Sequence, residues 1–350
     1  MPHRSTSSFG LTELVAAAFS LPLMSLFIAL IVGGVILVIR SRPGGAGSRA
    51  ARSSEAVARS VRARYVPEHR AAGITAIAVV VLFTVDNVVR GYLIVAPDLV
   101  AWWRFATPVV CAAVGLGVAL ALIRTRGTTA PEAPVVPTAR RTWLSFSRRG
   151  AVIGAGIALL ALTATTITAG LASSADGEGR HVWLVIPAPN EAQIDPIRVG
   201  FYGWAYGVPV LIGLAALSAL TWAVLHANAA RPYLRPETVA AERDARREVA
   251  AAAVAIATAT MLLALAGAWR LIARAGSVSQ LTITGSDAPA PYEVAWRYAE
   301  LAVAAGWLAP ILEVTAFVLL MLVASRLWRG SSDAAPAREA WLGSRAEATR

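Results

Sequence analysis

Apolar residues gather along this chain into seven long runs, separated by segments rich in arginine, glycine or proline. The runs lie at about 15–39, 73–95, 101–123, 151–171, 201–225, 249–268 and 301–327, and each holds at least 20 residues. At ~1.5 Å of rise per residue, a helix of that length covers the ~30 Å hydrocarbon layer. The pattern predicts an all-α polytopic membrane protein: seven transmembrane helices over residues 1–327, then a polar cytoplasmic tail over 328–350 without fixed structure. The first run is too long for a cleavable signal sequence, and only Arg4 precedes it.

Charge orients these runs. All 32 basic residues are arginine, against 21 acidic ones, giving a formal net charge of +11. Connections 40–72, 124–150 and 227–248 and the tail 326–350 hold eight, six, five and five arginines, so 24 of the 32 fall on one side of a seven-span layout. That side is expected to be cytoplasmic, with the N-terminus outside. Arg270 and Arg274 run against the bias, and the neighbouring Trp269 suits an interfacial belt. The basic connections are expected to meet anionic lipid headgroups. Within them, 51–66 sets Val57, Val61 and Tyr65 on one face, as a basic helix on the inner leaflet or a solvated helix would. Residues 127–139 read as an extended linker, and 235–249, led by Pro236, as an inward extension of the sixth helix. Basic segments so short and tethered do not suit nucleic acid.

The two larger outer loops, 174–200 and 275–296, share a pattern. Each carries a β-like run, then Pro-Ala-Pro-x-Glu, then an aromatic-rich span. The β-like runs are expected to form a small extracellular cap, drawn as a two-stranded ribbon. Pro22, Pro108, Pro209 and Pro310 fall in the outer halves of the four inward-running spans and are candidate helix kinks. The recurrence suggests a duplicated helical hairpin.

Composition then removes chemistry. Lacking lysine, the chain cannot form a Schiff base to a cofactor or supply a P-loop lysine. Arginine without lysine, together with abundant alanine, suggests a GC-rich bacterial genome and hence a bacterial cytoplasmic membrane. Cys111 is a lone cysteine, and His3, His69, His181 and His226 sit in loops or at span ends, so neither a disulfide, a metal set nor a midplane haem is expected. No cofactor is called for. The sequence also lacks HExxH and GxSxG signatures.

Charge inside the spans is the remaining signal. Asp86 and Arg90 stand four apart on one helix face, with Asn87 close by; Arg104 lies in the third span and Glu313 in the seventh. Counted from the outer surface at ~1.5 Å per residue, Arg104 is about 5 Å deep, Arg90 about 8, Asp86 about 14 and Glu313 about 18. Two bases above two acids would line an outward-facing hollow if spans two, three and seven were neighbours. The expected function is binding or passage of a small polar solute or ion there, with Asp86, Asn87, Arg90, Arg104 and Glu313 as the binding residues. The alternatives are a non-catalytic scaffold or accessory subunit that pairs with another membrane protein, and an enzyme acting on lipid-linked substrates.

Overall fold

The computed structural model describes residues 23–41, 50–89, 100–126, 141–187, 195–281 and 292–347. Seven helices carry the fold: α1 (Met24–Ser41), α2 (Ala50–Val88), α3 (Thr107–Arg126), α4 (Arg149–Ala172), α5 (Trp204–Ala230), α6 (Val239–Gly276) and α7 (Ala299–Glu347). Six of them are long and apolar enough to cross a membrane; α1 adds the shorter apolar helix Met24–Ile39. The chain is a multi-pass membrane protein in contact with a lipid bilayer. The opening residues of the first run, with Pro22, lie outside the described residues.

α6 is the axis of the bundle. In its most apolar window 78% of the residues are buried, against 17% in α4. Alanine is the reason: Ala250, Ala253, Ala257, Ala264 and Ala268 are all buried, and so small a side chain lets neighbouring helices come close. Helices α7, α2, α3, α5 and α4 surround it in that order, and α1 packs on the outside of α7. α1 docks through Ser25, Ala29 and Gly33, a buried small-residue stripe at four-residue spacing. A Cβ on Gly33 would stand 3.2 Å from the Met321 sulfur. Phe27, Ile31 and Val35 point away, each more than half exposed, as lipid-facing side chains do.

One end of the bundle is capped by β structure. Strands β1 (Ser174–Ala175), β2 (His181–Ile186) and β3 (Ile197–Gly200) form an antiparallel sheet in the order β1-β2-β3, with Leu184 opposite Val199 and Ile186 opposite Ile197. Alternation along β2 turns Val182, Leu184 and Ile186 inward and buries them. Strands β4 (Gln280–Leu281) and β5 (Tyr292–Glu293) form a separate ribbon. The cap therefore differs from the single ribbon expected. Each loop pairs with itself, because a local hairpin closes at a lower entropic cost than pairing across the bundle.

Three further expectations are corrected. Segment 51–66 does not form a separate helix on the membrane surface. It is the start of α2, which runs unbroken through Pro67, and Val61 and Tyr65 are buried against the bundle. The tail continues α7 as helix to Glu347, in keeping with its alanine, arginine and glutamate content. Pro108 is the second residue of α3, where its missing N–H has no intrahelical partner to lose, so it starts the helix and does not kink it. Pro209 and Pro310 do lie inside α5 and α7. Residues 235–249 extend α6 as expected, through a 3-10 turn at Pro236–Thr238.

Candidate functional site

Glu313 is the middle residue of the 29-residue span Ala299–Leu327, and its residue is only 3% exposed. Its partner comes from the axial helix. Arg270 grips the carboxylate with two parallel bonds, Nε to Oε1 and Nη2 to Oε2, both 2.6 Å. Ser25 of α1 donates its hydroxyl to Oε2 at 2.6 Å, so three helices converge on one carboxylate. Helix geometry explains the meeting. Side chains lean toward the N-terminus of their own helix. α6 and α7 run in opposite directions, as their contacts Gly276 to Ala302 and Ala273 to Gly306 show. Arg270 therefore leans away from the capped end and Glu313 toward it. The Arg270 side chain remains 28% exposed, while that of Glu313 is 4% exposed.

Toward the opposite, arginine-rich end the first described layer beyond Glu313 is apolar. Phe317 packs edge-on against Phe83 of α2 with ring centroids 5.4 Å apart, and Val79, Leu320 and Val323 are buried with them.

The other predicted site residues are not seen in contact with Glu313 in the described structure. Arg104 is exposed in the turn before α3 and sits over the ring of its neighbour Phe105, 5.2 Å from the centroid. Asp86 is half-buried near the described end of α2, and Asn87 turns back on its own helix, donating Nδ2 to the Phe83 carbonyl at 2.8 Å. Arg90 lies outside the described residues, and so does any Asp86–Arg90 pairing. α2 lies between α3 and α7, which separates Arg104 from Glu313. Among the described contacts, Glu313 is brought into a cluster shared between helices, and the base that reaches it is Arg270. An outer-end arginine that breaks the charge bias was the signal for it.

A second buried cluster closes the arginine-rich end. Arg231, in the α5–α6 connection, donates Nη2 to Glu68 Oε1 at 2.6 Å and to the Ile123 carbonyl at 3.2 Å. Arg246 of α6 is wholly buried; it bonds the Arg231 and Pro232 carbonyls, the Tyr65 hydroxyl and Glu242. Glu242 also accepts from Thr238 and from the Leu234 N–H, which ties the connection to the start of α6. Glu68 Oε2, Arg231 Nε and Asn228 Oδ1 are buried and without a partner among the described residues, positions that suit internal water. The sequence signal was slight: a Glu-x-x-x-Arg spacing in a segment where surface charge is ordinary.

Catalytic geometry is not evident in the cap. Ser173 Oγ donates to the Gly170 carbonyl at 2.6 Å, so its proton points away from His181, whose Nδ1 is 3.4 Å from that oxygen. No group of three or more His, Cys, Asp or Glu residues that could hold a metal ion occurs among the described residues. Compared with protein-family models, curated proteins and solved structures, the chain matches none.

Proposed function

We propose that this protein, set in a bacterial cytoplasmic membrane with its arginine-rich end inward, binds and passes a small polar solute or ion at Glu313 and Arg270, entered from the capped side. The observation that carries the reading is a carboxylate at the middle of its span, held by a guanidinium from a second helix and a hydroxyl from a third. Such a pair is a poor choice for stability alone. Drawing both charges out of water costs several kcal/mol per ion, about as much as their attraction returns, and an apolar pair would fill the space as well. Ionisable groups this deep are the usual marks of an ion or substrate path. The apolar Phe83–Phe317 layer below Glu313 and the partly exposed Arg270 favour entry from the cap.

The ion best suited to a single carboxylate with an arginine counter-ion is the proton. Protonation of Glu313 would free Arg270 for an anionic solute, and return of the guanidinium would expel both. The test is proton flux into liposomes loaded with a pH-sensitive dye under an imposed gradient. Vesicles holding the protein should discharge the gradient faster than empty ones, and Glu313→Gln should abolish the difference. Equal tightness of protein-bearing and empty vesicles would count against a proton path. A stable co-purifying membrane protein alongside that result would favour the scaffold reading.

A further inference from the structure

Three arginines, Arg141, Arg243 and Arg246, gather around Tyr233 at the arginine-rich end, with Arg231 close by in the same connection, and among the described residues only Arg231 and Arg246 are neutralised. Arg231 and Arg246 have Glu68 and Glu242. Arg141 and Arg243 have neutral partners: Arg141 Nη1 donates to the Arg231 carbonyl at 3.0 Å, and Arg243 Nε to the Tyr233 hydroxyl at 3.3 Å. Neither has a carboxylate partner among the described residues. They are nonetheless held in position. Tyr233 is only 5% exposed, the guanidinium carbons of Arg141 and Arg246 lie 4.0 and 4.3 Å from its ring centroid, and both groups donate to the Arg231 carbonyl. The ring and that carbonyl together fix the two guanidiniums, with Arg243 at the hydroxyl end of the ring, 5.9 Å from the centroid.

The depth of this site is set by its neighbours. Two residues after Arg141, Trp143 packs against Leu225, Ala250 and Val254 of the bundle; Leu144 stays 39% exposed. Trp222, stacked on His226 of the same helix, is 53% exposed. Apolar side chains on one side and guanidiniums on the other describe the boundary between acyl chains and headgroups.

We infer that Arg141 and Arg243 form a specific site for the phosphate of an anionic phospholipid in the leaflet at the arginine-rich end. Two fixed cations beside exposed apolar surface suit a ligand that carries an anionic head on an acyl tail. Free phosphate shares the head chemistry but would leave Leu144 and Trp222 uncovered.

The test is native mass spectrometry of the full chain in detergent, titrated with phosphatidylglycerol or phosphatidylcholine. Wild type should retain phosphatidylglycerol in preference to phosphatidylcholine. The R141Q/R243Q variant should bind it about thirtyfold more weakly, and R243Q alone about fivefold. R247Q, which removes an exposed arginine already paired with Asp244, should bind as wild type does. Arg243 is exposed on α6, so R243Q keeps the test usable should the double variant not fold. Retention unchanged in R243Q, or equal for both lipids, would overturn the assignment. Displacement of the lipid by millimolar inorganic phosphate would assign the site to free phosphate instead.

Discussion

Glu313 stripped of Arg270, or Arg270 stripped of Glu313, leaves one ion stranded in apolar surroundings, and that asymmetry yields a double-mutant test. Glu313→Leu and Arg270→Leu should each cost about 3 kcal/mol of stability, whereas the double substitution should recover most of that loss. Thermal unfolding of the four proteins in one detergent measures it. Ser25→Ala removes a single donor to the same carboxylate and should cost about 1.5 kcal/mol. In the cap, Asp176 supplies a pH test. Burial works against its ionised form, but the Arg180 side chain and the N–H groups of Arg180 and Glu178 outweigh it, holding the carboxyl below its ordinary 3.8. A depressed folded value stabilises the cap above pH 3.8, and this contribution disappears as the pH falls through the lowered value. Protection of the Leu184 and Val199 amides from hydrogen exchange should therefore hold from neutral pH down to about 4 and then fail. Asp176→Asn should weaken it at neutral pH and flatten the profile.

At the scale of elements, helix contacts turn on single small residues. Gly115 of α3 lies against the Thr75 side chain of α2, and a Cβ there would overlap it. Gly115→Leu should force the two helices apart and reduce folded yield, while Gly117→Leu, which meets nothing within 4 Å, should be tolerated. Size-exclusion chromatography of the two variants compares them directly. These elements were legible to different degrees. The apolar runs announce their helices because length and hydropathy alone decide membrane insertion. The in-plane reading of 51–66 fails because amphipathicity cannot say whether Val61 and Tyr65 face lipid or protein. Contact with α6 decides that, through Arg246 and the Tyr65 hydroxyl. Glu313 is visible as an acid with no base near it on its own helix. Arg270 reads as interfacial because counting residues from a helix end ignores the direction in which its side chain leans. The Glu68–Arg231 and Glu242–Arg246 pairs fall in connections where charges are commonplace, and only folding reveals that they are buried.

The described helices α7, α2, α3, α5 and α4 form an arc around the alanine-rich α6, with β structure at one end and the Arg231–Arg246 cluster at the other. α6 links the two buried charge clusters, carrying Arg246 and Glu242 at one end and Arg270 near the other. The proposed inward orientation of the arginine-rich end predicts that a protease-sensitive tag appended after Arg350 stays protected in intact spheroplasts and is cut after lysis. The central claim is that small solutes reach Arg270 and Glu313 from the capped side, and accessibility at position 270 measures it most directly. In a Cys111→Ala, Glu313→Gln background, Arg270→Cys protein in sealed vesicles is exposed to a charged, membrane-impermeant thiol reagent on the capped side. Position 270 should react far faster than the lipid-facing Ile311→Cys control, itself 60% exposed before substitution. Reaction no faster than the control, or reaction only from the arginine-rich side, would contradict the account.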